Sequence, residues 1–204
     1  MARDKYSWSD KSIQRCCISY SGFRLDGLGD ILARMRGASV FDVGANRGHV
    51  SLDCMAYGAT TLHGVEINED RCRVCNENFA DYRHVRARFE PVDLVGGPGA
   101  IKAAFGDDYL PEYDFVLMLA VYHKLARVMK KDALLYLVDH LAHHCGRFFV
   151  WRGSREEKPE FEHLLLARKF RLVHYSEISE CAGLPDEPPL RQQPSAIWAK
   201  TEAV

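Results

Sequence analysis

The chain has 204 residues, 47% apolar and 27% charged, with 27 basic residues against 28 acidic ones and a formal net charge of −1. That length suits one domain with a sizeable core, and the composition is that of an ordinary globular protein, which excludes a disordered chain or a helical membrane protein. So even a charge balance carries no electrostatic footprint for nucleic acid.

The first residues, Met-Ala-Arg-Asp-Lys-Tyr-Ser-Trp-Ser-Asp, hold no apolar stretch of the kind a secretory signal needs, and a cytoplasmic protein is expected. Seven cysteines, an odd number without a framework, agree with reduced thiols. The longest apolar run, Phe115 to Tyr122, is too short to span a bilayer. Residues 1–26 intersperse Tyr6, Trp8, Tyr20 and Phe23 with polar residues, and read as a cover segment before a single domain over 27–204. Leu28, Ile31, Leu32 and Met35 then fall at i, i+3, i+4, i+7, an amphipathic helix stopped by Gly37.

Val40, Phe41 and Val43 make a buried-strand pattern that opens into Gly44 and Gly48, and a helix follows to about Tyr57. A strand running through a glycine-bearing loop into a helix is where an open α/β sheet binds nucleotide-like ligands. Thr60 to Glu66 reads as a second strand, with Asn68 as N-cap of a helix whose stripe is Cys72, Cys75 and Phe79. The third strand falls within Val85 to Leu94, and the basic run Arg83, His84, Arg86, Arg88 reads as a solvated strand edge or loop. A short helix over Ala100 to Phe105 precedes a fourth strand, Tyr113 to Leu119. Asp132 caps a helix with Leu134, Leu137, Val138 and Leu141 on one stripe, and Arg147 to Trp151 is a fifth strand. A helix near Phe161 to Arg168 leads to a strand near Arg171 to Ile178. A loop holding Pro185, Pro188, Pro189 and Pro194 then leads to a last strand near Ala196 to Ala199. This alternation predicts one doubly wound, mostly parallel sheet.

Glu66 follows Gly48 at close to the ~20-residue spacing at which an acid on the second strand takes ribose hydroxyls. The other reading is a residue that only caps the next helix. A dinucleotide site wants G-x-G-x-x-G, yet the positions in register are Gly44, Asn46 and His49, which argues against a nicotinamide enzyme.

The pattern Asp42-x-Gly44-x-Asn46-x-Gly48 resembles the first motif of class I S-adenosylmethionine-dependent methyltransferases. That family's seven-stranded sheet ends in an antiparallel pair, matched in form by Phe170 to Tyr175 and Ala196 to Trp198. The resemblance implies S-adenosylmethionine as cofactor and S-adenosylhomocysteine as product. Gly44, Ala45, Asn46 and Gly48 would surround the methionine part, with Asp42 fixing the loop or the amino group. Glu66 would hold the ribose, Ile67 would lie against the adenine, Asp93 would accept from its amine, and the Leu94 backbone would address the ring. Leu119 and Ala120 would border the reactive methyl. His123 is the candidate general base, as its unperturbed pKa suits proton removal near neutrality. Tyr122 is a second catalytic candidate, and both have a structural reading as packing residues.

No Asn-Pro-Pro-Tyr or Asp-Pro-Pro-Tyr follows the fourth strand, and no Pro-Cys pair exists, which argues against nucleobase amino and cytosine C5 methylation. The opening is also similar to FkbM-type sugar O-methyltransferases, without a match past the fourth strand. The expected acceptor is an oxygen or nitrogen of a small or glycan-like molecule. An RNA methyltransferase and a non-catalytic S-adenosylmethionine-binding module are the alternatives. His140 with His144, and Asp139 with His143, have metal-ligand spacing, but a solvent-facing helix end is the preferred reading, so no metal is expected. Cys72-x-x-Cys75 lies on an apolar stripe without a second pair, which favours core packing.

Overall fold

The computed structural model describes residues 31, 33–179 and 193–201. The cover segment, most of the helix expected from Leu28, and Pro185, Pro188 and Pro189 lie outside the described residues. Strand and helix alternate as the periodicities predict. The first half runs β1 Ser39–Val43, α1 His49–Ala56, β2 Thr61–Glu66, α2 Glu69–Phe79, β3 Arg86–Pro91, α3 Gly97–Phe105 and β4 Tyr113–Leu119. A single turn, α4 Tyr122–Leu125, then precedes α5 Lys131–His143, β5 Cys145–Arg152, α6 Lys158–Ala167, β6 Phe170–Ser179 and β7 Gln193–Lys200.

These strands form one seven-stranded sheet in the order β3-β2-β1-β4-β5-β7-β6. Neighbours from β3 to β5 are parallel, while β7 is antiparallel to both β5 and β6. The period of two along the strands sends side chains into two separate cores. On β1, Phe41 and Val43 join the core beneath α3, α5 and α6, whereas Val40 joins the one beneath α1 and α2. Trp151, Phe161 and Trp198 anchor the first, with ring centroids 5.6 to 6.3 Å apart, and each such aromatic stabilises the fold by about 1.5 to 3 kcal/mol through burial.

Local chemistry sets the element ends. The Asn68 side chain accepts from the Arg71 amide at 3.0 Å and caps α2, as expected. On the same helix, Asn76 donates to the Phe89 carbonyl at 2.8 Å and accepts from the Phe89 amide at 3.0 Å, which completes the open side of edge strand β3. Arg86 and Arg88 of the basic run lie on that edge, and Arg83 and His84 in the turn before it. Arg86 and Arg88 both reach Asp108, and Arg88 also pairs with Glu90 at 2.7 Å.

Three expectations need correction. Asp132 does not cap α5: the N-cap is Lys130, and Asp132 sits inside the first turn, where its charge favours the helix dipole without a capping bond. Pro194 belongs to β7, one residue before the pairing with β5 begins at Ser195, so its missing donor costs no ladder bond with that strand. Of the histidines at the end of α5 only His143 is exposed, while His140 and His144 are half-buried. His140 stacks 6.1 Å from Tyr109, and His144 lies 4.4 Å from His140 with its Nδ1 2.8 Å from the Pro111 carbonyl. Burial, then the neighbouring His144, His143 and Lys102, lower the pKa of His140 to about 4.

Candidate active site

The strand order reverses between β1 and β4, the kind of switch point outside whose strand ends an open α/β sheet holds a ligand. A cavity of about 790 Å3 opens there, lined by residues at the ends of β1 to β5 and by the turn after β4.

The β1 loop is built on left-handed backbone, with φ of 76° at Gly44, 55° at Asn46 and 77° at Gly48. The amides of Gly44 and Ala45 both donate to the Val65 carbonyl, at 2.8 and 2.9 Å, tying the loop to β2. A Cβ on Gly44 would stand 2.5 Å from Cγ2 of Val121, so the glycine lets this loop meet the turn after β4. Asp42 is 3% exposed and accepts from Ser51 Oγ at 2.7 Å, which orients its carboxylate from α1.

Glu66 is buried at the end of β2 and bridges two loops. One carboxylate oxygen accepts from the Asn46 amide at 3.0 Å and the other from the Asn68 amide at 3.1 Å. Each oxygen carries two lone pairs, so one on each is left for a ligand hydroxyl. Asp93 accepts from the Val95 amide at 3.0 Å through one oxygen, capping a short 3₁₀ turn over Leu94–Gly96. Beside it Ile67 is 66% exposed at the cavity's edge. Ala120 has φ 58°, a strained value for a residue with a Cβ, and its amide donates to the Arg152 carbonyl at 2.8 Å.

The structure thus brings Asp42, Gly44, Ala45, Asn46, Glu66, Ile67, Asp93, Leu94, Leu119 and Ala120 to one cavity. Gly48 is not among its lining residues. A Cβ there would meet Cys75 Sγ at 2.4 Å, so this glycine serves the loop's curvature and its seat on α2. His123 and Tyr122 are also absent from the lining, and the reason is helical phase. Val121, Lys124, Leu125 and Val128 follow the i, i+3, i+4, i+7 pattern and face the cavity, which turns His123 to the opposite side. Tyr122 is 4% exposed and donates to Glu160 Oε2 at 2.5 Å; burial, then that bond, push its phenol well above the usual range. Its role here is to pin the turn.

Ten lining residues are not among the expected cofactor contacts: the apolar Val50, Val65, Val92, Val95, Val121, Leu125 and Val128, and the basic Arg71, Lys124 and Arg152. The phase of the turn after β4 was the one signal available, and it points to Lys124. Cys72 and Cys75 are buried beside the loop, and burial pushes the Cys72 thiol up to about 11, which leaves it protonated. Among the described residues, no group of three or more His, Cys, Asp or Glu side chains is placed to hold a metal ion. No helix among them is long and apolar enough to cross a membrane.

No family model matches the chain. No curated protein matches it either. Solved structures do. Magnesium protoporphyrin IX methyltransferase from Synechocystis, with bound S-adenosylmethionine, is 14% identical, covers 93% of this chain and 80% of its own, and superposes with a TM-score of 0.61. Ribosomal protein L11 methylase from Lactobacillus delbrueckii subsp. bulgaricus is 14% identical over 89% of this chain and 79% of its own, with a TM-score of 0.57. An S-adenosylmethionine-dependent methyltransferase from Clostridium acetobutylicum is 7% identical over 88% of this chain and 90% of its own, with a TM-score of 0.59. The fold is the Rossmann-like fold of the S-adenosylmethionine-dependent methyltransferases.

Proposed function

We propose that the chain is an S-adenosylmethionine-dependent methyltransferase acting on an oxygen or nitrogen of a small acceptor. The observation that carries this is Glu66, buried at the β2 end, bound at both oxygens by loop amides and still holding two lone pairs toward the cavity. Those two acceptor lone pairs fit the paired hydroxyls of a ribose. The acids of the site suit the rest of the cofactor: Asp42 a positively charged amino group, and Asp93 an exocyclic amine. Ile67 supplies an apolar plane for a base.

S-adenosylmethionine supplies an activated methyl on a sulfonium. The chain's own residues would bind and orient. Leu119, Ala120 and Val121 form the wall on which an acceptor would rest, and the buried apolar strands behind them exclude water. Among the described lining residues there is no histidine, tyrosine or cysteine, so proximity and orientation carry the chemistry in this reading.

Calorimetry with S-adenosylmethionine, S-adenosylhomocysteine and NAD tests it. Binding of the first two with no heat from NAD is the expected outcome, and binding of NAD alone would overturn it. The small-acceptor part rests on the net charge of −1. Retention of RNA that falls steeply with salt would replace it with a nucleic-acid acceptor.

A further inference from the structure

We infer that the acceptor is an apolar molecule, an alkyl or aryl body bearing one nucleophilic oxygen or nitrogen, seated along Val121, Leu125 and Val128. The inference rests on the cofactor reading above and narrows its acceptor. The cavity's carboxylates all stand on one side of the switch point, where Asp42, Glu66 and Asp93 lie in or just after β1, β2 and β3. From the end of β4 onward the lining is Leu119, Ala120, Val121, Leu125 and Val128, with two cations. Arg152 is already engaged within the chain, and Lys124 is exposed and keeps its ammonium in water. No side chain on this side offers a neutral hydroxyl or amide; among the described lining residues Asn46, in the β1 loop, is the one neutral hydrogen-bonding side chain. A hydroxyl-rich acceptor such as a glycan would press its hydroxyls against valine and leucine, and each one desolvated without a partner weakens binding.

The three apolar residues form a continuous stripe. The Leu125 amide donates to the Val121 carbonyl at 3.2 Å and the Met129 amide to the Leu125 carbonyl at 2.8 Å, so the helical winding continues past the end of α4. Val121, Leu125 and Val128 therefore share one face, and at 1.5 Å per residue the stripe runs about 10 Å. Its inner end meets the cofactor loop, where Val121 lies against Gly44. Its outer end, Val128, is 66% exposed at the cavity. An apolar stripe that starts at the cofactor loop and ends on an exposed valine is continuous with the proposed active site, and it fits an apolar ligand whose reacting atom points inward.

The probes are para-ethylphenol, para-butylphenol and para-hexylphenol, with methyl β-glucopyranoside as polar control, titrated calorimetrically into the full chain saturated with S-adenosylhomocysteine. Burying one methylene tightens binding about fourfold, so the hexyl compound should bind about a hundredfold more tightly than the ethyl one. The glucoside should give no heat. Val128→Asp should weaken the hexyl compound about tenfold and leave the ethyl compound and S-adenosylhomocysteine unchanged. Tyr136→Asp, on α5 outside the cavity lining and 65% exposed, should change none of them. A flat series, heat from the glucoside, no loss in Val128→Asp or an equal loss in both variants overturns the inference. So does a dimer in sedimentation that Val128→Asp dissociates, because the stripe would then be covered by a second copy. Both substituted residues are exposed, so neither variant depends on core packing. Failure of the unmodified protein to bind S-adenosylhomocysteine sinks the cofactor reading instead, an outcome seen before any phenol is added.

Discussion

At the scale of single residues the site turns on Glu66 and Gly44. Replacing Glu66 with Gln keeps the shape but sets an amide nitrogen against one of the two loop amides it now accepts from. Hydrogen bonds to a charged group contribute about 1.5 to 3 kcal/mol, so Glu66→Gln should weaken S-adenosylmethionine by roughly ten- to a hundredfold in calorimetry, and an unchanged affinity would remove the ribose assignment. Gly44→Ala meets two obstacles, its φ of 76° and the contact with Val121. It should lower stability by about 1 to 3 kcal/mol in urea titration. Adding Val121→Ala should return the contact part and leave the left-handed strain. Full recovery would show that backbone strain contributes nothing. Glu66 was legible in the sequence because a strand end, a glycine loop and a spacing all mark it. Arg152 was not, as nothing at the end of a fifth strand separates a buried cavity arginine from a surface one.

At the scale of elements, the periodicities located every described strand to within about three residues at either end, and the buried stripes of α2 and α5 came out as read. The turn after β4 was harder. Its helix has only four residues, and residue chemistry points to His123, whereas the phase continued through Val128 presents Lys124 to the cavity. That phase is held by Tyr122, whose hydroxyl reaches Glu160 on α6, which in turn takes Lys131 Nζ at 2.5 Å. The lysine first, and Tyr122 second, hold the Glu160 carboxyl below its ordinary range. Tyr122→Phe removes one bond of this bridge and leaves the ion pair. It should cost about 0.5 to 1.5 kcal/mol in urea titration and leave cofactor affinity unaltered. No loss of stability would mean that the turn is fixed by Leu125 and its apolar contacts alone.

At the scale of the whole molecule, buried neutral histidines set how stability depends on pH. His63, in the middle of β2, is fully buried, stacked 5.2 Å from Phe105, with Nδ1 2.8 Å from the Tyr113 hydroxyl. Burial first, then the Arg86 guanidinium, lower its pKa to about 4, the same value as His140. An unfolded histidine takes its proton below about 6.5, so between there and about 4 the unfolded chain binds protons that the folded one refuses. Stability from these groups is therefore present above 6.5 and lost as pH falls toward 4, with a slope of at most about 1.4 kcal/mol per pH unit for each proton. Glu157 acts in the opposite sense. Burial raises its carboxyl, so its contribution is present below the ordinary glutamate range and lost above it. Asp108, Asp139 and Glu160 are lowered by their cationic and hydrogen-bonding partners, and their loss falls below the histidine window. Urea midpoints should hold steady near pH 7 and fall between pH 6.5 and 4.5. His63→Asn, which keeps a polar atom near Tyr113 but has no proton to take, should flatten that fall even as it lowers stability at pH 7. A variant profile parallel to that of the unmodified protein would show that His63 is not held neutral by its burial.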